Sequence, residues 1–236
     1  MTGRHVILAG GSGGLGAPCA RMLAAEGTRV IVSYRENRTR ADELADVAEL
    51  VQADLLSAVD RARLLDSAPA LYGLVVFAGN PARAADPSRL EEALRVSHEV
   101  NYAGPVLLAR EAAERMRSSN TSGAIVLISS MQGVAVFPGS TAYAGAKAAL
   151  AHAALVLAKE CRGKADIRVN VICPGVNDAG MAKASIASGK YDRYLNEGVV
   201  PRFGRPEDVA RAVRFFLEPD NYVTGQVLTV DGGLTL

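Results

Sequence analysis

Short, unbroken apolar runs alternate along the chain with longer stretches in which apolar residues recur every three or four positions. "HVILAG" (5–10), "RVIVSYR" (29–35), "AELVQAD" (48–54), "YGLVVFAG" (72–79), "GAIVLISS" (123–130), "IRVNVICPG" (167–175) and "QVLTVDGG" (226–233) read as seven strands. Continuous Val/Ile/Leu runs without polar alternation mark strands covered on both faces. Between them, "APCARMLAAEG" reads as a helix ending at Gly27, and "TRADELADVA" as a polar helix. Helical patterns also run from Leu90 to Ser118, from Thr141 to Arg162, and through "PEDVARAVRFFLE", which opens with a proline and two acids. Strands alternating with helices predict βαβ units with right-handed crossovers. The fold class is therefore α/β: one doubly wound parallel sheet of about seven strands with helices on both faces. No linker breaks the pattern, so residues 1–236 read as one domain. Residues 177–203 are the least regular part and follow a strand end, where such folds bind ligands; they read as a substrate lid.

The chain has 236 residues, 49% of them hydrophobic, and a formal net charge of +1. That balance gives no global field for nucleic acid. The three cysteines, Cys19, Cys161 and Cys173, are odd in number and widely spaced. They read as free thiols of a reducing compartment, and no Cys/His cluster suggests a metal. No signal peptide precedes "HVILAG", and no apolar run is read as reaching the roughly 18–20 residues that span a bilayer. The expectation is a cytoplasmic protein with neither membrane nor nucleic-acid contact.

The loop "AGGSGGLG" joins the first strand to the first helix, with Gly10, Gly14 and Gly16 as its key positions. Glycine lets a backbone approach a phosphate closely, and a helix N-terminus offers unpaired amides to an anion. After a first strand, this pattern points to a dinucleotide site. An acid at the end of the second strand would bind a free ribose 2′-hydroxyl. The chain has "SYRENR" there instead. Arg35 then either pairs with a 2′-phosphate or is an ordinary solvated arginine, with Arg38 a secondary candidate. Asp54, after the third strand, either bonds the adenine amino group or caps the next helix.

Tyr143 and Lys147 lie four residues apart within "STAYAGAKAAL" and so share a helix face. A free phenol has a pKa of about 10, and a neighbouring ammonium lowers it. The alternative is a tyrosine packed in a helix interface beside a surface lysine. Ser130, at the end of the fifth strand, adds a hydroxyl where strand ends meet the cofactor. Ser129 faces the other way.

Together these motifs resemble the short-chain dehydrogenase/reductase family: "AGGSGGLG", Ser130, then "YAGAK" thirteen residues on. Asn101 in "VNYAGP", "CPG" at Cys173–Gly175 and "VTGQVLTVDGG" extend the resemblance over essentially the whole chain. It implies a Rossmann-type domain and a catalytic tetrad of Asn101, Ser130, Tyr143 and Lys147. Tyr143 would give a proton to a carbonyl oxygen while hydride arrives from the nicotinamide. Ser130 would polarise that oxygen, Lys147 would hold the phenol down and bind the nicotinamide ribose, and Asn101 would hold a relay water. NADPH/NADP+ would lie against Gly10, Ser12, Gly13, Gly14, Leu15 and Gly16 of the loop. Further contacts would come from Tyr34 and Arg35, Asp54 and Leu55, Ala78 and Gly79, the Tyr143–Lys147 pair, and Pro174, Gly175 and Val176. Three positions depart from the family pattern: Ala9 for threonine, Val76 and Phe77 for two asparagines, and Ala179 for threonine.

Within the family the chain most resembles 3-oxoacyl-(acyl-carrier-protein) reductases of fatty-acid and polyketide synthesis. The resemblance implies reduction of a 3-oxoacyl thioester on an acyl carrier protein, and a homotetramer. The alternatives are a ketoreductase or alcohol dehydrogenase on a free sugar, steroid or aromatic polyketide, and a non-catalytic dinucleotide-binding regulator. Arg115, Arg117, Arg162 and Lys164 are the expected basic residues near the pocket mouth for an acidic carrier.

Overall fold

The computed structural model describes residues 2–82 and 86–236. The described residues form seven strands: β1 His5–Ala9, β2 Arg29–Tyr34, β3 Glu49–Gln52, β4 Leu71–Val76, β5 Gly123–Ile128, β6 Ile167–Pro174 and β7 Val227–Val230. All pair in parallel in the order β3-β2-β1-β4-β5-β6-β7. The chain winds outward from β1 to β3, returns to β4 beside β1, and winds outward again. The strand order thus reverses between β1 and β4, which opens a crevice at the carboxyl ends of the strands.

Strand residues alternate between two cores. Ile7, Ile31, Leu74, Ile125, Val169 and Val171 bury one face. Helices α3 (Ala58–Asp66), α5 (Gly104–Ser118) and α6 (Thr141–Glu160) cover it, with Leu64, Leu108 and Leu157 among their buried anchors. Val6, Leu8, Val32, Val75, Val126 and Ile172 bury the other face against α1 (Gly16–Ala25) and α9 (Pro206–Leu217), through Leu23, Val213 and Phe216. Burying about 1.5–3 kcal/mol per large apolar side chain on both faces makes register slips costly.

Four elements differ from the pattern read in the sequence. The polar helix after β2 is only α2, Arg38–Asp42; Asn37 caps it, accepting from the Arg40 amide at 2.9 Å. Helix α3, the helix after β3, is given no range by the sequence pattern. Its cap is Ser57, which accepts from the Asp60 amide at 3.2 Å, and not Asp54. The stretch from Leu90 divides into α4 (Leu90–His98), a π-helical turn at Glu99–Ala103, and α5. Pro105, at the start of α5, has no N–H, so the Asn101 carbonyl has no i+4 donor and the helix opens there. Finally, α6 spans 20 residues with a mean hydropathy of 1.2, enough by length and composition to cross a bilayer. Its apolarity is mostly alanine, and its inner side packs on the sheet through Leu150, Ala154 and Leu157.

Residues 177–203 hold two short helices, α7 (Lys183–Ala187) and α8 (Asp192–Asn196). A small cluster of Met131, Val176, Tyr191, Val200 and Leu234 fixes them over the strand ends. At the far side of this segment, Asp208 in the first turn of α9 accepts from the Arg205 amide at 2.8 Å and pairs with Arg202 at 2.7 Å. Those bonds hold its carboxyl well below the usual range.

Candidate active site

A cleft of about 1360 Å³ runs along the carboxyl edge of the sheet, from the β1–α1 loop to the lid. The loop is shaped by glycine. Gly10 has φ +71°, and a Cβ there would fall 2.9 Å from the Ala78 backbone. A Cβ on Gly16 would fall 2.5 Å from the Gly11 carbonyl. Ser33, on β2, accepts from the Gly10 amide at 3.0 Å and holds the turn. The N-terminus of α1 has no side-chain cap and no acid in its first turn. Its positive end therefore opens on the cleft, which suits a pyrophosphate. The lid reaches across: a Cβ on Gly14 would lie 2.5 Å from the Gly180 nitrogen.

At the ribose end, Tyr34, Arg35, Asp54 and Leu55 line the cleft as read from the sequence. Arg35 pairs with Glu36 at 2.9 Å and its side chain stays half-exposed. Asp54 accepts from the Leu56 amide at 2.9 Å, so its carboxylate closes a turn beside the cleft. Arg38 is turned away, bonded to Asp42 at 2.6 Å and to the Tyr34 hydroxyl at 3.1 Å. Arg40, not singled out in the sequence, lines the cleft instead.

At the other end the cleft meets Ser130, Tyr143, Lys147, Pro174, Gly175 and Val176. Ser130 lies two residues past β5, where its hydroxyl is close enough to the Tyr143 phenol to pull it down and accepts from the Gln132 amide at 3.2 Å. Lys147 is 2% exposed. Its Nζ donates to the Ile128 carbonyl at 2.8 Å and stands 5.9 Å from the Tyr143 ring centre. Asn101 is fully buried in the π turn, behind the cleft wall. Its Oδ1 accepts from the Asn80 amide at 2.8 Å, and its Nδ2 donates to the Asn80 carbonyl at 2.9 Å and to Ser97 Oγ at 3.0 Å. A Cβ on Gly79 would lie 3.2 Å from Asn101 Oδ1 and 3.6 Å from Lys147 Nζ. Four residues spread over more than forty positions therefore converge on one corner.

Residues 9–235 match the family model described as enoyl-(acyl carrier protein) reductase. The chain is 32% identical to 3beta-hydroxysteroid dehydrogenase 1 of Eggerthella lenta, covering 100% of this chain and 95% of that one. It is 31% identical to a 3-oxoacyl-(acyl-carrier-protein) reductase of Chlamydia muridarum, covering 99% and 98%. It belongs to the short-chain dehydrogenase/reductase family. Among solved structures of this oxidoreductase family, an actinorhodin polyketide ketoreductase with NADPH superposes at TM-score 0.85, with 26% identity, over 100% of this chain and 99% of that one. A 7 alpha-hydroxysteroid dehydrogenase with NADH superposes at 0.86, with 28% identity, over 98% and 94%.

The dehydrogenase/reductase site corrects two expectations. The first concerns charge at the tetrad. The phenol of Tyr143 sits above its ordinary value because burial outweighs the downward pull of the Ser130 hydroxyl. Burial pushes the Lys147 ammonium down to about 8. The i,i+4 spacing brings the two onto one face, with one of the three ammonium hydrogens on the Ile128 carbonyl.

The second correction concerns the basic residues. Arg115 and Arg117 close α5 just before β5, and Arg162 and Lys164 follow α6 just before β6. Strand beginnings lie at the edge of a parallel sheet opposite its carboxyl ends, so all four sit away from the mouth. Arg115 pairs there with Asp66 at 2.5 Å, and Arg117 pairs with Glu114. The cations that do line the substrate end are Lys190 and Arg193 of the lid.

Sequence reading also missed Gln132, Phe137, Met181, Tyr191 and Tyr194 as lining residues. None belongs to a spaced motif; Met181, Tyr191 and Tyr194 were covered only by the reading of residues 177–203 as a lid, and Gln132 and Phe137 only by following the end of β5. The three family departures are filled by packing. The Ala9 carbonyl accepts from the Phe77 amide at 2.8 Å. Val76 and Phe77 join the two opposite cores. Ala179 offers only a methyl group, directed at Gly14.

Proposed function

We propose that the chain is an NADPH-dependent ketoreductase, and that its substrate is a 3-oxoacyl thioester on an acyl carrier protein. The observation that carries the reductase reading is the Ser130–Tyr143 hydroxyl pair at the closed end of the cleft. The uncapped α1 terminus and the glycine turn fit a dinucleotide's pyrophosphate, with Arg35 and Arg40 near its 2′-phosphate and Asp54 and Leu55 beside its adenosine. Gly79 and Val176 line the stretch of cleft that would hold a nicotinamide, which would supply hydride to the carbonyl carbon. Ser130 holds the carbonyl oxygen and Tyr143, kept protonated by its burial, donates the proton to it. Lys147, charged up to about pH 8, stabilises the phenolate left behind. Both Nδ2 hydrogens of Asn101 are taken by Asn80 and Ser97 and its Oδ1 accepts from Asn80, so its role in a proton relay falls to its carbonyl, which Pro105 leaves without an i+4 donor.

The carrier reading draws on the relatives and on the lid. Lys190 lies over the Tyr191 ring at 5.7 Å, and Arg193 over the Tyr194 ring at 4.7 Å. Both suit the phosphate of a phosphopantetheine arm better than the four basic residues first considered. A free ring-shaped ketone is the second reading, favoured by Phe137, Tyr191 and Tyr194 along the same wall and by the steroid dehydrogenase relative. Exposed apolar residues on α5 and α6 (Leu107, Val156) and along α9 and the β7 edge (Phe215, Val227, Leu228) support two self-contacts and hence a homotetramer. A cytoplasmic location belongs to the same proposal.

The deciding experiment follows NADPH and NADH oxidation with carrier-bound, coenzyme-A-bound and free ketones. The carrier reading requires the highest kcat/KM for the carrier-bound substrate, and a raised KM for it alone in the Lys190→Glu/Arg193→Glu variant. Equal response with a free ketone hands the assignment to the second reading. Arg35→Ala and Arg40→Ala should each weaken NADPH binding more than NADH binding; equal loss removes the NADPH assignment.

A further inference from the structure

The turn that carries Tyr143 and Lys147 is unusually poor in anchors. From Thr141 to Ala149 every other side chain is threonine, alanine or glycine. Such residues bury little area, so packing alone holds the height and rotation of this turn weakly. Two buried serines from other elements bond its backbone. Ser97 on α4, 1% exposed, donates to the Ala142 carbonyl at 2.9 Å and accepts from Asn101 Nδ2 at 3.0 Å. Ser129, just past β5 and 3% exposed, donates to the Lys147 carbonyl at 2.7 Å. The chain comes close enough for this only because residue 133 is glycine: a Cβ there would lie 2.9 Å from the Lys147 carbonyl carbon and 3.0 Å from Ser129 Oγ.

The two carbonyls bracket the reacting pair, one residue before Tyr143 and at Lys147 itself. The same strand end supplies Ser130 to the phenol and the Ile128 carbonyl to the ammonium. Ser97 also ties Asn101 to the start of α6. We infer that Ser97 and Ser129 form a two-point clamp that sets Tyr143 and Lys147 against Ser130 and Asn101. They are positioning residues, since both hydroxyls end on helix carbonyls. The inference rests on the reading of Tyr143 as the proton donor.

The test uses Ser97→Ala, Ser129→Ala and the double variant of the full chain. Ring-labelled 13C tyrosine gives a second readout besides turnover, with Tyr143→Phe identifying the Tyr143 signal. Cys173 and Tyr191, the other titratable groups that bear on the phenol, are untouched. Because a misplacement of about 1 Å can cost about 100-fold in rate, each single variant should lose about 10-fold in kcat and the double about 100-fold, with KM little changed. The Tyr143 signal should titrate closer to the ordinary phenol range in each. Ser97→Thr, which restores the hydroxyl, should recover kcat. Should an alanine variant fail to fold, Ser→Cys keeps the volume with a much weaker donor and carries the same expectation. A folded double variant with wild-type kcat and wild-type Tyr143 titration would overturn the clamp. If the wild type reduces no ketone, the functional reading fails while the Tyr143 titration still decides the clamp.

Discussion

The sheet carries a tyrosine beside a cation at each of its two edges, and only one of them faces a cleft. At the carboxyl edge stand Tyr143 and Lys147. At the opposite edge Tyr72, at the start of β4, meets Arg168, at the start of β6. The Tyr72 hydroxyl donates to the Leu217 carbonyl at 2.9 Å and accepts from Arg168 at 3.0 Å. Arg168, 3% exposed, also donates to the carbonyls of Phe216 at 3.1 Å and Glu218 at 2.9 Å. Arg4 covers the Tyr72 ring at 4.2 Å. The last carbonyls of α9 are thus met by a buried cation with no carboxylate, the charge that a helix C-terminus favours. Burial raises both phenols. What separates them is commitment. Every bond of the Tyr72 hydroxyl ends on a fixed group, whereas the Tyr143 phenol faces another hydroxyl, that of Ser130, which can rotate toward a substrate oxygen. A tyrosine beside a cation is therefore no mark of chemistry until a free valence and a cavity accompany it.

The largest test of this contrast removes one oxygen from each pair. Tyr143→Phe should lower kcat by about 100- to 10,000-fold and leave the urea unfolding midpoint almost unchanged. Tyr72→Phe should do the reverse, losing about 1–3 kcal/mol of stability with normal turnover in the folded fraction. Next, Arg168→Met strands the carbonyls of Phe216 and Glu218 and should cost about 3 kcal/mol or more in urea unfolding, with little change in kcat.

A smaller effect separates the two cations by pH. The folded value of Lys147, about 8, lies below its ordinary 10.5. Its charge is present below that value and is lost above it. In the reductive direction kcat/KM should be level through neutral pH and fall above about pH 8, approaching tenfold per unit if the charge is essential. Stability runs oppositely: the penalty for burying the charge is complete below pH 8 and fades as pH rises toward 10.5, because the unfolded chain then binds more protons. Arg168 does not titrate in this range, so the far edge contributes no such limb. The smallest effect belongs to that edge as well. Arg117→Glu with Lys164→Glu should leave the KM for a carrier-bound ketone within about twofold of wild type, and stability within about 0.5–1 kcal/mol. A large rise in that KM would mean that a carrier docks far from the cleft.

All seven strands were legible because burial on both faces writes a run of Val, Ile and Leu that nothing polar interrupts. Helix α3 was not read, because "SAVDRARLLD" mixes charge with its apolar positions. Its signal was the cap pair, Ser57 and Asp60. Helix α2 was read too long because a favourable composition beyond Asp42 was outweighed by a turn that buries Leu44. Tyr143 and Lys147 were legible from their spacing and Ser130 from its strand end, and Asn101 only through the family resemblance; the electrostatics of the corner were not legible, because desolvation depends on what covers a residue, which spacing does not encode. Ser97 gave no signal, since a single serine belongs to no periodic pattern, and Ser129 gave only its direction, away from Ser130. The misplaced basic residues are a different matter. A residue just before a strand of a parallel sheet starts at the edge away from the site, and strand order alone would have excluded Arg117 and Lys164.

The strand order also shapes how the chain is made. Strand β1 lies near the middle of the sheet, yet one of its neighbours, β4, arrives much later: His5 pairs with Leu71. During synthesis at about 5–20 residues per second, β1, β2 and β3 emerge first and pair while the other edge of β1 stays open for several seconds. That edge is Val-Ile-Leu-Ala, with no charge or proline to blunt it. The half-made sheet is thus the most association-prone species on the path, and arrival of Leu71–Val76 ends its exposure. Such distant pairings also slow refolding from denaturant, so recovery of the full chain should depend on protein concentration far more than its unfolding does.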